Sequence, residues 1–313
     1  MDKILVTGVN GFVGHHVAEQ IHKSGMSVIG IGNQPDLQTD LEGIVGTYIS
    51  CDLTDPKSVG LIDLNSVSAI INLAGFAKVG DSKGQGELYD RVNIGVHTVL
   101  YDECLRQSVS PRIIAVSTGA VYDPNQELPI TEESALITQD KTNEYVISKQ
   151  KMENALQEYR GKGLDIIIVR PFNHSGPGQL PGFLIPDLGE QITEAVESKK
   201  PLLVGNLMTK RDYTDVRDVA GAYVKLATVD TLGHNVYNIC SGVSIAGTKI
   251  LELLKKSFDA EGVQTEIDQT RIRPNDVMDI YGSRERITQD TGWKPVISVD
   301  QMIADYSTWK KSN

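Results

Sequence analysis

The chain has 313 residues, 40% hydrophobic and 23% charged, an ordinary globular composition long enough for one large core or two moderate ones. A net charge of −11 and a pI near 5.0 argue against non-specific binding to nucleic acid or to anionic membranes, although a local basic pocket for an anionic substrate stays compatible with them. Cys51, Cys104 and Cys240 are scattered without metal-ligand spacing. No metal site is expected, and the thiols point to a reducing compartment. With no signal-like segment and no apolar run long enough to span a bilayer, a cytoplasmic protein is expected.

Lys3-Ile4-Leu5-Val6-Thr7 reads as a buried strand, followed at once by Gly8-Val9-Asn10-Gly11-Phe12-Val13-Gly14. Residues 15–23 have helical spacing, with Val17 and Ile21 on one face and a stop at Gly25. Strand, glycine-rich turn and helix are the context of a dinucleotide site: glycines let the backbone approach a pyrophosphate, which the helix N-terminus then faces. The second strand covers 27–31. Where an NAD-selective site offers an acid to the ribose, this chain has Gly32, Asn33 and Gln34, with neither a carboxylate nor an arginine. NAD and NADP both remain open, with a lean to NADP.

A third strand at 47–50 ends in Cys51-Asp52-Leu53. Asp52 suits either a contact to the adenine amino group or an N-cap for the next helix. A fourth strand at 69–73 closes in Asn72-Leu73-Ala74-Gly75, whose small residues would let backbone reach a cofactor. Residues 76–86 read as a mobile loop over the site, 88–106 as a long helix containing Asn93, and 112–116 as the fifth strand, leading to Ser117-Thr118-Gly119-Ala120-Val121-Tyr122.

Tyr145 and Lys149 follow, four residues apart, hence on one helix face. A free tyrosine has a pKa near 10, and a nearby ammonium should lower it enough for proton transfer near neutrality. Alone, such a pair is more often a solvated helix face. A sixth strand spans 165–169. Alternating strands and helices imply an α/β doubly wound parallel sheet of the Rossmann type, with the site at the strands' C-terminal ends. Residues 1–170 are the expected dinucleotide-binding domain. From Pro171 the elements shorten, and 171–210 with 246–313 read as a smaller mixed α/β C-terminal substrate lobe, 211–245 returning to the first domain. Helices are expected at 215–226, 250–258, 284–290 and 301–309, and a strand at 236–239.

Together, Thr7-Gly8-Val9-Asn10-Gly11-Phe12-Val13-Gly14, Asp52-Leu53, Asn72-Leu73-Ala74-Gly75, Ser117-Thr118 before Val121-Tyr122, and Tyr145 with Lys149 resemble the extended short-chain dehydrogenase/reductases that act on nucleotide sugars, over essentially the whole chain. Arg170-Pro171-Phe172-Asn173-His174-Ser175-Gly176-Pro177-Gly178-Gln179, Gly205-Asn206-Leu207, Arg211-Asp212-Tyr213-Thr214-Asp215-Val216-Arg217-Asp218-Val219, Arg273-Pro274-Asn275-Asp276-Val277 and Thr291-Gly292-Trp293-Lys294-Pro295 look most like the GDP-mannose 4,6-dehydratase and GDP-6-deoxy-4-keto-hexose reductase branch.

The resemblance implies an NAD(P)-dependent enzyme, a homodimer in the cytoplasm, with a nucleoside diphosphate sugar, a GDP-sugar above others, as substrate. It implies Thr118, Tyr145 and Lys149 as catalytic residues. Gly8, Gly11, Phe12, Val13, Gly14, Asn33, Asp52, Leu53, Leu73, Ala74 and Gly75, with Tyr145 and Lys149, would hold the cofactor. Asn173, Arg211, Arg273 and Asp276 would meet the substrate, a guanidinium fork suiting phosphate oxygens. Against these stand plainer roles: a turn residue for Asn173, surface ion pairs for the arginines, and a structural His174. Dehydration needs an extra acid/base, which the dehydratases carry as a carboxylate just after the threonine. Here Gly119 and Ala120 hold those positions, which favours reduction of a C4 ketone. A C4 epimerase needs the same minimal set and is the alternative. A non-catalytic NAD(P)-binding protein is disfavoured by the presence of both Tyr145 and Lys149.

Overall fold

Runs of β-branched residues such as Ile166-Ile167-Ile168-Val169 are buried end to end, the pattern of strands covered on both faces by helices. The computed structural model describes residues 3–272 and 276–313. In its first part the order is β1 (Lys3–Thr7), α1 (Phe12–Lys23), β2 (Ser27–Gly32), β3 (Val45–Ser50), α2 (Pro56–Val59), β4 (Val67–Asn72), α3 (Gly86–Arg106), β5 (Arg112–Val116), α4 (Glu144–Gly161) and β6 (Ile166–Pro171). There follow β7 (Asn173–Ser175), α5 (Leu184–Ser198), β8 (Leu202–Val204), β9 (Lys210–Asp215), α6 (Val216–Thr228), β10 (Val236–Ile239), β11 (Ser244–Ala246), α7 (Gly247–Ser257), β12 (Thr265–Ile267), β13 (Asp279–Ile280), α8 (Glu285–Thr291) and α9 (Val299–Ser312).

Seven strands form one sheet in the order β10-β6-β5-β4-β1-β2-β3, every pair parallel. This is the doubly wound architecture the sequence predicts. The strand order turns back between β1 and β4, the switch point at which such sheets bind ligands. On one face, Val17, Ala18 and Ile21 of α1 and Val219, Tyr223 and Leu226 of α6 share a core with Ile4, Val6 and Ile71. On the other, Val96, Leu100, Met152 and Leu156 of α3 and α4 pack on Leu5, Ile70 and Ile113.

A separate core gathers Ile185, Leu188 and Ile192 of α5 with Ile250 and Leu254 of α7 and Ile303 and Tyr306 of α9. Beside it β9 pairs with β7, β11 and β13. The chain therefore passes from the small sheet to the large one at the Asp215–Val216 junction, since β9 lies in the former while α6 packs on α1. Ile287 and Trp293, late in the chain, join the core of the first face. Asp218 fastens the Trp293 segment: its Oδ2 accepts from Val296 N and Ile297 N at 2.9 Å each, and its carbonyl accepts from Trp293 Nε1 at 3.0 Å. Among the described residues, no helix is long and apolar enough to cross a membrane.

Candidate active site at the sheet switch point

Gly8 adopts φ +65°, and Gly14 has no room for a side chain, because a Cβ there would stand 2.1 Å from the Gly8 carbonyl oxygen. The turn therefore folds onto the first turn of α1. That helix starts at Phe12, earlier than the apolar spacing suggests, with no side-chain cap at Gly11 and no acidic residue in its first turn. The amides of Phe12, Val13 and Gly14 thus form a helix N-terminus open to an anion, which fits a dinucleotide pyrophosphate.

Across the switch point, Thr7 Oγ1 donates to Asn72 Oδ1 at 2.7 Å and accepts from the amides of Leu73 and Ala74 at 3.0 Å each. This clip seats Leu73-Ala74-Gly75 beside the glycine turn, where a Cβ on Gly8 would meet Ala74 N at 3.4 Å. Asn93 holds the far end: its Oδ1 accepts from Phe76 N at 2.8 Å and its Nδ2 donates to Ser148 Oγ at 2.9 Å. Two hydrogen bonds tie the following loop to α3 and α4. Tyr89 OH donates to the Lys78 carbonyl at 2.7 Å, and Glu144 accepts from Gly84 N at 3.0 Å.

At the end of β2, Asn33 is exposed and Gly32 buried. Asp52 is exposed, with its Oδ1 accepting from Thr54 N and Thr54 Oγ1 at 2.8 Å each, while Leu53 is buried. The N-cap reading for Asp52 is corrected, because Asp55 caps α2 through Lys57 N and Ser58 N. Asp52 instead closes the turn before it.

Asn143 caps α4 by accepting from Val146 N at 3.1 Å, and the helix then presents Tyr145, Lys149 and Glu153 one turn apart toward the tip of β5. Tyr145 hydrogen-bonds Thr118. Lys149 Nζ donates to the Val116 carbonyl at 2.9 Å. Glu153 Oε1 accepts from Ser117 Oγ at 2.5 Å, and its carboxylate takes two bonds from Arg170, Nε at 3.0 Å and a terminal nitrogen at 2.6 Å. Arg170 also donates to Tyr122 OH, which donates to Asn238. This buried network ties the tips of β5, β6 and β10 to α4.

The electrostatics differ from the sequence expectation. Burial pushes the Tyr145 phenol above its ordinary value of 10, and the Thr118 hydrogen bond only partly opposes this. Lys149 is drawn down to about 8, by burial first, with Glu153 pulling the other way. A desolvated phenolate is disfavoured, and the ammonium spends its bond on Val116 instead of stabilising the phenolate. Tyr145 therefore stays protonated at neutral pH, as a proton donor must. Beside it, neither Gly119 nor Ala120 offers an acid or base, and a Cβ on Gly119 would press on the Phe172 ring at 3.0 Å. Glu153 is fully engaged.

Beyond the strand tips, Asn173 is exposed at the start of β7 and hydrogen-bonds Tyr213 of β9. Arg211 donates to the carbonyls of Lys210 and Val277, at 2.7 and 2.8 Å. Asp276 is half-buried near Val277, and Arg273 lies outside the described residues. Arg271 is tied to Asp268 and the Leu203 carbonyl. His174 stacks on Phe12, centroids 6.2 Å apart and planes within 9°, and His16 meets the Pro177 carbonyl at 2.9 Å, so the turn after β6 rests on side chains of the first turns of α1. Glu153, Arg170 and Tyr122 are the residues that sequence reasoning missed. Glu153 carried a signal, falling four residues after Lys149 on the same face.

Comparison with known proteins follows the same lines. Residues 4–240 match the model of the NAD dependent epimerase/dehydratase family. The chain is 32% identical to the GDP-6-deoxy-D-mannose reductase of Pseudomonas aeruginosa over 98% of its own length and 97% of that protein. It is 28% identical to a UDP-glucose 4-epimerase of Caenorhabditis elegans, covering 99% and 98%. Among solved structures, RMD from Pseudomonas aeruginosa complexed with NADPH superposes with a TM-score of 0.84 at 29% identity, covering 100% of both chains.

Proposed function

We propose that this chain, which belongs to the NAD dependent epimerase/dehydratase family, reduces the C4 ketone of a nucleoside diphosphate 4-keto-6-deoxy sugar, a GDP-sugar above others. The observation that carries the reading is the geometry around Tyr145: a buried phenol bonded to Thr118, with no further acid or base at 119 or 120. The similarity to a GDP-6-deoxy-D-mannose reductase over nearly the whole length supports it.

In this mechanism residues 8–14, Leu73, Ala74 and Gly75 bind the dinucleotide, with Asn33, Asp52 and Leu53 toward its adenosine end. When bound, the nicotinamide supplies the hydride. Thr118 orients the substrate's carbonyl oxygen, and Tyr145 gives that oxygen its proton. Lys149, one turn from Tyr145 on the same helix face, holds the cofactor's ribose. Asn173, Arg211, Arg273 and Asp276 meet the nucleotide sugar, so the lobe of α5, α7 and α9 is the substrate side and the seven-stranded sheet the dinucleotide side. We infer a cytoplasmic homodimer, in keeping with three buried free cysteines and the resemblance to nucleotide-sugar enzymes.

A C4 epimerase uses the same residues, and the full-length similarity to UDP-glucose 4-epimerases keeps it as the second reading. The test supplies a GDP-4-keto-6-deoxy-hexose with NADH or NADPH. Reduced cofactor should be consumed one for one, and Tyr145→Phe should lower kcat at least ~100-fold with cofactor affinity retained. Undiminished turnover by Tyr145→Phe, or a 4-keto-6-deoxy product from GDP-mannose and oxidised cofactor, overturns the reductase reading. Interconversion of C4 epimers without net consumption moves it to the epimerase.

A further inference from the structure

The last residue of β2 is where a carboxylate reads the adenosine ribose in NAD-selective sheets of this kind. That residue is Gly32, and its lack of a side chain has a cause on the neighbouring strand. A Cβ built on Gly32 would lie 2.6 Å from Tyr48 OH, 3.0 Å from Gln34 Oε1 and 3.4 Å from Tyr48 Cε2. Tyr48 stands half-buried on β3 and is tied at its hydroxyl. Its hydroxyl donates to the Gln34 carbonyl at 2.7 Å and accepts from Asn10 Nδ2 at 3.4 Å, and its ring packs against the core under α1.

Asn10 comes from the glycine turn itself. It also donates to the Asp36 carbonyl at 3.0 Å and accepts from Gln38 N at 3.2 Å. The turn that would face the pyrophosphate and the loop that would face the ribose are therefore joined through Asn10 and Tyr48.

We propose that Tyr48 bars an acidic side chain from position 32: its hydroxyl occupies the space a Cβ there would need, so this sheet cannot carry the NAD-selecting carboxylate at that place while the tyrosine hydroxyl stands, and NADPH stays admissible beside NADH. The residue acts through position 32 and the loop shape, as a positioning residue. The inference rests on the dinucleotide site proposed above.

The test measures dissociation constants of NADH and NADPH by cofactor fluorescence, together with the denaturant midpoint, for Gly32→Asp, Tyr48→Phe and the double variant. Gly32→Asp alone should weaken both cofactors about tenfold or more and lower the midpoint, since the new side chain overpacks against a held ring. Tyr48→Phe alone should leave the NADH-to-NADPH ratio as in wild type. In the double variant NADH binding should recover, and the ratio should shift toward NADH by about tenfold, equivalent to about 1.4 kcal/mol. Gly32→Ala with and without Tyr48→Phe reads the steric part by stability alone, and the pair should be the more stable.

A shift toward NADH in Gly32→Asp with an unchanged midpoint overturns the proposal, because Tyr48 then yields. So does a double variant with the wild-type ratio, or a Gly32→Ala that Tyr48→Phe does not rescue. Failure of the wild-type protein to bind either cofactor would instead strike the function proposed above.

Discussion

Lys149→Met should make the protein more stable while abolishing its chemistry. Lys149 is buried, and burial lowers its pKa from 10.5 to about 8. At about 1.4 kcal/mol per unit, holding the charged form inside the fold costs roughly 3 kcal/mol at neutral pH. The bond to the Val116 carbonyl returns about 1 kcal/mol in the native state, and its loss, with an unpaired carbonyl, reduces the gain from methionine to about 2 kcal/mol. The sign follows from proton counting. Between pH 8 and 10.5 the unfolded lysine binds more protons than the folded one, so wild-type stability rises with pH through that window relative to Lys149→Met. Below pH 8 the difference is constant. Denaturant unfolding of both proteins without cofactor, from pH 7 to 10, measures it. A methionine variant that is less stable at pH 7, or a difference that does not shrink toward pH 10, would refute the reasoning.

Two more outcomes are expected. Gly14→Ala places a Cβ 2.1 Å from the Gly8 carbonyl and 2.8 Å from Val9 Cα, both backbone, so the turn must open; dinucleotide affinity by titration should fall at least tenfold, about 1.4 kcal/mol, and wild-type affinity would contradict the cradle. Glu153→Gln leaves the Arg170 guanidinium buried without its carboxylate, which should destabilise by about 3–5 kcal/mol; in chemical denaturation Glu153→Gln/Arg170→Met should recover part of that loss, and no recovery would mean the pair is not the source.

Much of the fold is local and was therefore readable. Apolar runs of strand length, the glycine turn before α1, and the alternation of strand and helix through 171 are short-range patterns, and they define a parallel doubly wound sheet without reference to anything distant. The four-residue spacing of Tyr145 and Lys149 likewise placed them on one face before any partner was known. Element ends were less legible: α1 starts at Phe12 because a helix turn can begin on residues without an apolar stripe, and α5 was overlooked although Ile185, Leu188, Ile192 and Ala195 repeat at helical spacing.

What tertiary structure alone decided depends on residues far apart in the chain. The pKa of Tyr145 follows from burial, which no spacing encodes, and burial reversed the expected direction. Gly119 is a glycine beside Phe172, and Gly32 is one beside Tyr48, contacts made only when separate strands meet. Asp52 read as an adenine contact or a cap, and the start of α2 at Pro56 gives the cap to Asp55. Glu153 stands on the right face of α4 in sequence, but its partner Arg170 arrives on β6, and it is the packing of that helix on the sheet that brings the two charges together out of water. Sequence periodicity specifies which way a side chain points from its own element; what it meets there is set by the packing of elements, and packing is where the chemistry of this site is tuned.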